Sequence, residues 1–401
     1  MWRHSSPPRK DWRRTVESQG LVYPTTKHAD GSETAYWNES AFYELSEAEV
    51  EHLEEATEEL HRMSIEAARY LASGELGDLG LVPGALELAR ASLERGDVSV
   101  YGRLDLRYDG TEPAKLLEYN ADTPTGLVEA SVAQWYWLED VMPSTDQWNS
   151  LHERLVQAWR SARPKLRSPV VHFAHHPDDE TNEEWMTVAY MRDVATEAGL
   201  ETVGLTVADI GWDFDRRRFV DLVEAPIDTA FVLYPWEDML RDEFGRQIMA
   251  DPLGTTWVEP AWKVLASNKA LLAALWHCFP DSEHLLPAYL DEPGPLTEWV
   301  AKPLHGREGD GIRVSAADVT HEQRSERYGA EGYVYQQYAP LPAFDGNYAV
   351  IGAWVVDGKA AGAGIRESDG LVTDSRARFV PHALSAPRPD PSTASAWLRE
   401  A

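Results

Sequence analysis

Cysteine is nearly missing from this chain: Cys278 is the only one in 401 residues. No disulfide framework can form, which points to a reducing, cytoplasmic setting. Lysine is scarce too, at 8 against 29 arginines, and the 37 basic side chains face 67 acidic ones for a net charge of -30. A surface so short of positive charge argues against nucleic acid as a partner, because phosphate backbones are held by Lys and Arg. Long apolar runs are lacking as well. No stretch approaches the roughly 18 continuous apolar residues of a membrane helix. The basic start, MWRHSSPPRKDWRR, is not followed by the apolar segment of a secretory signal. The expectation is a soluble protein without a membrane partner.

What the chain does have is 43% hydrophobic residues and 16 Trp, enough for a compact core, and a length that favours two or three packed lobes. Its acidity suits a cationic amine substrate through long-range attraction. Adaptation to a salty cytoplasm, or background composition, explains the same charge.

Residues 1–45 read as an irregular leading segment. Ser46 and Glu49 then form a capping box, and Val50, Leu53, Ala56, Leu60, Met63, Ala67 and Leu71 keep helical spacing behind it. PGALELARASLE reads as a second helix, SVYGRLDLRYD and AKLLEYN as strands, and the regions 126–139 and 146–161 as helices. From 169 to 235 the order strand, helix, strand, strand (VVHFA, NEEWMTVAYMRDVATEAG, ETVGLTV, TAFVLY) predicts a small α/β lobe with a partly parallel sheet. A helix at 267–276 precedes the strands EWVAKPL, IRVSA and GYVYQQY and the hairpin AVIGAWVVDGKAAGAGIRE. Asp357–Gly358 gives that hairpin a two-residue turn. The Pro- and Ser-rich tail from Pro381 is expected to fray.

Residues 101–126, YGRLDLRYDGTEPAKLLEYNADTPTG, hold the most chemistry. Arg103, Asp105 and Arg107 alternate with Leu104 and Leu106, so the charges share one face of a strand. Glu118 and Asn120 share a face of the next. A four-residue loop at 110–113 sets Asp105 opposite Glu118 and Arg103 opposite Asn120. Facing carboxylates repel unless a cation neutralises them, and an oxygen-only set suits magnesium. The ordinary alternative is a solvated sheet face with a surface Arg–Asp pair.

KPLHGREGDG, residues 302–311, places Gly306, Gly309 and Gly311 between two strands. No helix follows, which argues against a P-loop or a dinucleotide fold. A mobile flap whose amides lie against a triphosphate fits better, although such loops are also simple tight turns. Two of the few lysines, Lys269 and Lys302, stand where phosphates need compact charges, and Arg366 is a third cation on a neighbouring strand.

A different chemistry is suggested by FAHHPDDET, residues 173–181, which resembles the AHPDDE signature of zinc-dependent N-deacetylases. His176, Asp178, Asp179 and Glu180 follow a strand as that signature requires. They are followed by TNEEWM rather than glycines, and a carboxylate-rich helix start explains them as well. His152 and His277 read as packing or surface residues, Trp135, Trp137, Trp257 and Trp262 as core, and Cys278 as a buried thiol.

Taken together, YGRLDLRYD, LLEYNADTPTG, NEEWM, LYPWE, VEPAWKVLASNKALLAALW, VAKPLHGREGDG, VYQQY and GAGIRESD resemble, in order, the ATP-grasp synthetase domain of the glutathionylspermidine synthase family. The resemblance runs from about residue 100 to 370. It implies an α+β to α/β ATP-grasp-like fold with mixed sheets, divided as an N-terminal helical segment (1–97), an acidic hairpin with helices (98–168), a small α/β substrate lobe (169–260), an ATP-binding lobe (261–380) and a flexible tail (381–401). It implies an ATP-dependent carbon–nitrogen ligase working through an acyl-phosphate on a peptide or small-molecule carboxylate and an amine or polyamine. Carried over by position, Asp105, Glu118 and Asn120 hold Mg2+, and Arg103 stabilises the transferring phosphoryl group. Lys269 and Lys302 bind ATP phosphates, and Gly306, Arg307, Gly309 and Gly311 form the loop over them. Gln336 and Gln337 line the adenine pocket, and Arg366 meets phosphate or the substrate carboxylate. Thr123 and Thr125, and Glu183 and Glu184, match substrate positions. The amidase domain of the bifunctional members has no counterpart, and the two threonines stand where those members carry serines. A catalytically silent relative that only binds nucleotide or peptide is the remaining alternative.

Overall fold

A computed structural model of the chain describes residues 1–385 apart from 28–30, 180, 252, 318 and 324. Glu180 and the tail from 386 onward therefore lie outside the described residues.

The long helix spans Glu47–Ser73, and both halves of the Ser46–Glu49 capping box are formed. Leu53, Ala56, Leu60, Met63, Ala67 and Leu71 are buried along one face. Each of its leucines gives about 2 kcal/mol from burial. Gly74 ends the helix in the left-handed region at φ 80°, as a C-terminal cap requires. This face packs on helices Lys263–Ser267 and Ala270–Cys278 and on the hairpin Asn347–Val356/Lys359–Ser368. The long helix thus braces the strands that carry the site.

The central sheet is antiparallel, in the order Arg378–Val380, Lys359–Ser368, Asn347–Val356, Tyr101–Arg107, Lys115–Asn120. Asp357 and Gly358 link two of its strands with φ of 48° and 74°, the positive pair expected of a tight hairpin turn. A five-stranded antiparallel sheet follows the order Ala288–Leu290, Tyr333–Gln337, Trp299–Pro303, Arg313–Ala316, Val319–Glu322. The small lobe has four strands, in the order Thr256–Val258, Thr229–Leu233, Val170–His175, Glu201–Thr206. They are parallel throughout rather than in part, with helix Glu183–Glu197 as one crossover. The strand Thr256–Val258 and the hairpin Gly211–Asp213/Arg218–Val220 were not apparent from the sequence; each strand is three residues long, too short to show a period.

The described residues of 1–45 are more ordered than their composition suggests. Trp2–Ser5 pairs with Ala41–Leu45, which pairs in turn with His382–Leu384. The expected fraying from Pro381 is therefore corrected for these three residues. Their partner lies some 340 positions away, and local composition carries no trace of such pairing. Trp137, Trp257 and Trp262 are core residues as expected, whereas Trp135 is 39% exposed and Cys278 only half-buried. Among the described residues no helix is long and apolar enough to cross a membrane.

Candidate active site

The site begins at the hairpin Tyr101–Arg107/Lys115–Asn120. Asp105 pairs with Glu118, and Arg103 with Asn120, as expected. The connection is longer than four residues, and a bulge next to Asp105 restores the register. The charged face is not solvated: Arg103 is 7% and Asp105 3% exposed. The strand lies inside the sheet, and Asn347–Val356 covers its other edge. Gly352, opposite Asp105, leaves room for the arginine, since a Cβ there would stand 2.8 Å from Arg103 Cδ.

Buried charges need partners, and here they share them. Arg103 donates through Nε to Asp105 Oδ1 at 2.7 Å and through Nη2 to Oδ2 at 3.1 Å, and its Nη1 reaches the Thr125 carbonyl. Arg366 Nη2 donates to the same Asp105 Oδ2. Asn120 Nδ2 donates to Glu118 Oε1 at 3.1 Å, and Lys269 Nζ lies 3.1 Å from Glu118 Oε2. Burial works against ionisation of Glu118, yet Lys269, Lys302 and the Asn120 amide hold its carboxyl well below the usual range. Lys302 donates to the Leu117 carbonyl at 2.6 Å and to Gln336 Oε1 at 2.8 Å. Burial pulls its ammonium down to about 8 and Lys269 adds repulsion, against the attraction of Glu118.

The glycine loop closes one side. Lys269 Nζ donates to the Gly306 carbonyl at 2.6 Å, so one lysine joins hairpin to loop. Gly309 has φ 73°, and a Cβ there would meet Val372 Cγ1 at 2.8 Å and the Thr373 carbonyl at 3.0 Å. No other residue fits. Arg307 spans from Thr123 Oγ1, at 2.9 Å, to Glu237 Oε1, at 2.7 Å.

The facing wall comes from the small lobe and the turn after the hairpin. Burial lifts the Glu183 carboxyl to about 7; Glu129 and Glu308 push the same way, against the Thr125 hydroxyl and Arg103. Burial raises Glu184 too, although its carboxylate accepts the His176 backbone N–H at 2.9 Å. Glu129 is fully buried and takes the hydroxyls of Tyr23 (2.5 Å) and Tyr36 (2.6 Å).

These walls bound a cleft of about 1440 Å³. It gathers Arg103, Asp105, Glu118, Asn120, Thr123, Thr125, Glu183, Glu184, Lys302, Arg307, Gly309, Gln336, Gln337 and Arg366. Lys269, Gly306 and Gly311 stand behind the lining rather than in it; Gly311 backs onto the Pro303 ring. The backbone of Tyr333–Gln337 is not a free edge, because Ala288–Leu290 and Trp299–Pro303 flank it on both sides. The Gln336 amide is likewise engaged, by Lys302 and by the Leu116 carbonyl at 2.9 Å.

Sequence reasoning missed Asp122, Glu129 and Glu237. Asp122 binds the Trp236 N–H and the Ser267 hydroxyl. Glu237 lay in view within LYPWE, but its partner Arg307 is 70 positions distant. The deacetylase-like segment is explained by helix capping. Asp179 accepts the N–H groups of Glu183 (3.1 Å) and Trp185 (2.8 Å) at the helix start. Among the described residues no three His, Cys, Asp or Glu side chains gather so as to hold a metal ion, as a zinc hydrolase needs.

Residues 3–385 match the glutathionylspermidine synthase preATP-grasp family. The chain belongs to this family. It is 39% identical over 391 residues to a Haemophilus influenzae protein provisionally named acid–amine ligase, covering 94% of this chain and 97% of the relative. It is 27% identical over 370 residues to the bifunctional glutathionylspermidine synthetase/amidase of Escherichia coli, covering 85% of this chain but 58% of that enzyme. The mixed α+β fold, with its several sheets and glycine loop, is ATP-grasp-like. A glutathione synthetase-like effector of Globodera pallida shares it at 11% identity and a TM-score of 0.58, covering 94% of this chain and 96% of that one.

Proposed function

We propose that the cleft joins a carboxylate to an amine at the expense of ATP, through an acyl-phosphate. Membership of the family supports the enzyme class, an ATP-dependent carbon–nitrogen ligase. The observation that carries the finer reading is convergence: the acidic hairpin, Lys302 and the glycine loop line one cleft, and Lys269 ties hairpin to loop just behind it.

The donor set fits magnesium. Asp105 and Glu118 pair in register, Glu118 is held ionised and Asn120 adds an amide, a hard oxygen set of the kind Mg2+ takes beside phosphate. Bound there, the ion would neutralise phosphate charge. Lys302 and Lys269 would bind the phosphates, with the flap around Arg307 and Gly309 above them. The base would lie among Val300, Ile312 and Val314, its polar edge meeting the chain at Tyr338 and Ala339, past the fully paired strand.

In the reaction, a substrate carboxylate oxygen attacks the terminal phosphorus and ADP leaves. The amine nitrogen then attacks the acyl carbon, phosphate departs with the electrons of the C–O bond, and the amine proton is released. Arg103 and Arg366 would stabilise the transferring phosphoryl group and the acyl-phosphate. Thr123 and Thr125 would position the carboxylate substrate, and Glu183 and Glu184 the amine. No protein nucleophile is needed: catalysis is positioning, charge neutralisation and exclusion of water by the loop.

Incubating the protein with Mg2+, ATP, a free-carboxylate peptide such as glutathione and a polyamine such as spermidine tests this. The expected result is ADP and phosphate in equal amounts and a product weighing the two substrates less one water. No amine-dependent ATP cleavage across a panel of peptides and amines would leave a silent binder.

A further inference from the structure

We infer that Glu237 positions the flap arginine Arg307 over the cleft and serves as its fixed pivot, while Thr123 is the exchangeable end of the same clamp. This rests on reading the cleft as the ATP site.

Glu237 lies in the short helix Trp236–Arg241, is 6% exposed and does not line the cleft. Its Oε1 accepts Arg307 Nη2 at 2.7 Å, with His305 Nδ1 3.9 Å away. The other end of the guanidinium, Nη1, donates to Thr123 Oγ1 at 2.9 Å, and Thr123 does line the cleft. The two anchors are joined independently of the flap. Asp122 accepts the Trp236 N–H at 3.2 Å through Oδ2, and the Thr123 N–H at 2.9 Å and the Ser267 hydroxyl at 2.6 Å through Oδ1. Asp122 thus fixes the spacing that Arg307 bridges.

The ends differ in strength and in access. The Glu237 contact is charge-assisted and shielded from solvent; the Thr123 contact pairs a cation with a neutral hydroxyl facing the cleft. A polar group of a substrate arriving at Thr123 competes for that hydroxyl and has no access to Glu237. Arg307 then turns about Glu237, which frees Nη1 for an anion in the cleft. Glu237 touches neither substrate nor phosphate, so it is a positioning residue.

Amide hydrogen exchange of residues 305–311 in the full chain tests the pivot, alongside kcat and the KM for ATP. The variants are Glu237→Gln, Glu237→Asp, Thr123→Val, Arg307→Gln and the double Glu237→Gln/Arg307→Gln. Glu237→Gln should speed loop exchange about tenfold or more, and Thr123→Val only about threefold, the difference between a buried ion pair and a cation's bond to a neutral hydroxyl. The double variant should match Arg307→Gln alone in exchange and in kcat, because Glu237 acts only through Arg307. Glu237→Asp, which withdraws the charge by one methylene, should be intermediate, and it serves where glutamine does not fold. The pivot is overturned if Glu237→Gln and Glu237→Asp both exchange like the parent, if Thr123→Val has the larger effect, or if the two losses add in the double variant. Exchange needs no turnover, so it judges the pivot even in a chain that forms no product; conversely, turnover with unchanged exchange keeps the ligase and removes the pivot.

Discussion

On one wall of the cleft Arg103, Asp105, Glu118, Lys269 and Arg366 interlock, each carboxylate contacting at least one cation. On the other, Glu183 and Glu184 take neutral groups, the Thr125 hydroxyl and the His176 backbone N–H, and burial raises both carboxyls. The first wall is balanced internally and so can be rigid before any ligand arrives, the condition for electrostatic preorganisation. The second holds two carboxyls that burial biases toward the neutral form and that a cationic ligand would draw into the charged one. In the proposed ligation the two walls would divide the work, with phosphoryl chemistry on the balanced side and amine recognition on the unbalanced one.

The largest blow to this contrast should come from the balanced wall. Lys302→Met fills the buried site with an apolar side chain, so folding should persist while ATP cleavage falls on the order of a thousandfold, measured as ADP release at saturating substrates. Asp105→Asn should lose comparable activity for a different reason. It strips Arg103 and Arg366 of a shared counter-ion, which costs about 3–5 kcal/mol of stability, readable by urea unfolding. Retained turnover in either variant would detach the phosphate chemistry from this wall.

A smaller and more selective effect should mark the other wall. Glu183→Gln removes a carboxyl that forms no salt bridge among the described residues and feels only the more distant Arg103, so the KM for the amine should rise about 10- to 100-fold while the KM for ATP stays within about twofold. If both constants move together, the walls are not separate in function.

Much of the balanced wall was legible in the sequence because its information is local. A period-two pattern across one hairpin puts Arg103, Asp105, Glu118 and Asn120 on one face, and the bulge preserved that register although the loop was longer than expected. Burial of that face was not legible. It depends on Asn347–Val356, more than 200 residues later, covering the strand, and on Gly352 making room. The Arg307–Glu237 contact and the Tyr23–Glu129–Tyr36 cluster join distant segments by single side chains, and no periodicity announces those. The same holds for the N-terminal sheet, where Trp2 pairs with Glu44 about 40 positions on and His382 pairs with Tyr43 from the opposite end of the chain.

The mildest test uses pH, and its sign separates chemistry from unfolding. Burial holds the Lys302 ammonium at about 8, whereas an unfolded lysine titrates near 10.4. Above pH 8 the folded protein loses the charge that would meet phosphate, so kcat/KM for ATP should fall, by roughly tenfold at pH 9, since that ratio reports the free enzyme. Stability moves the opposite way. Between about pH 8 and 10 the unfolded chain binds the proton that the folded one has released, so the contribution of Lys302 to stability rises with pH. An alkaline loss of activity with no fall in unfolding free energy would thus be titration at the site. Lys302→Arg, which keeps its charge throughout this range, should erase that alkaline limb even if it lowers the plateau; survival of the limb in the arginine variant would assign it to another group.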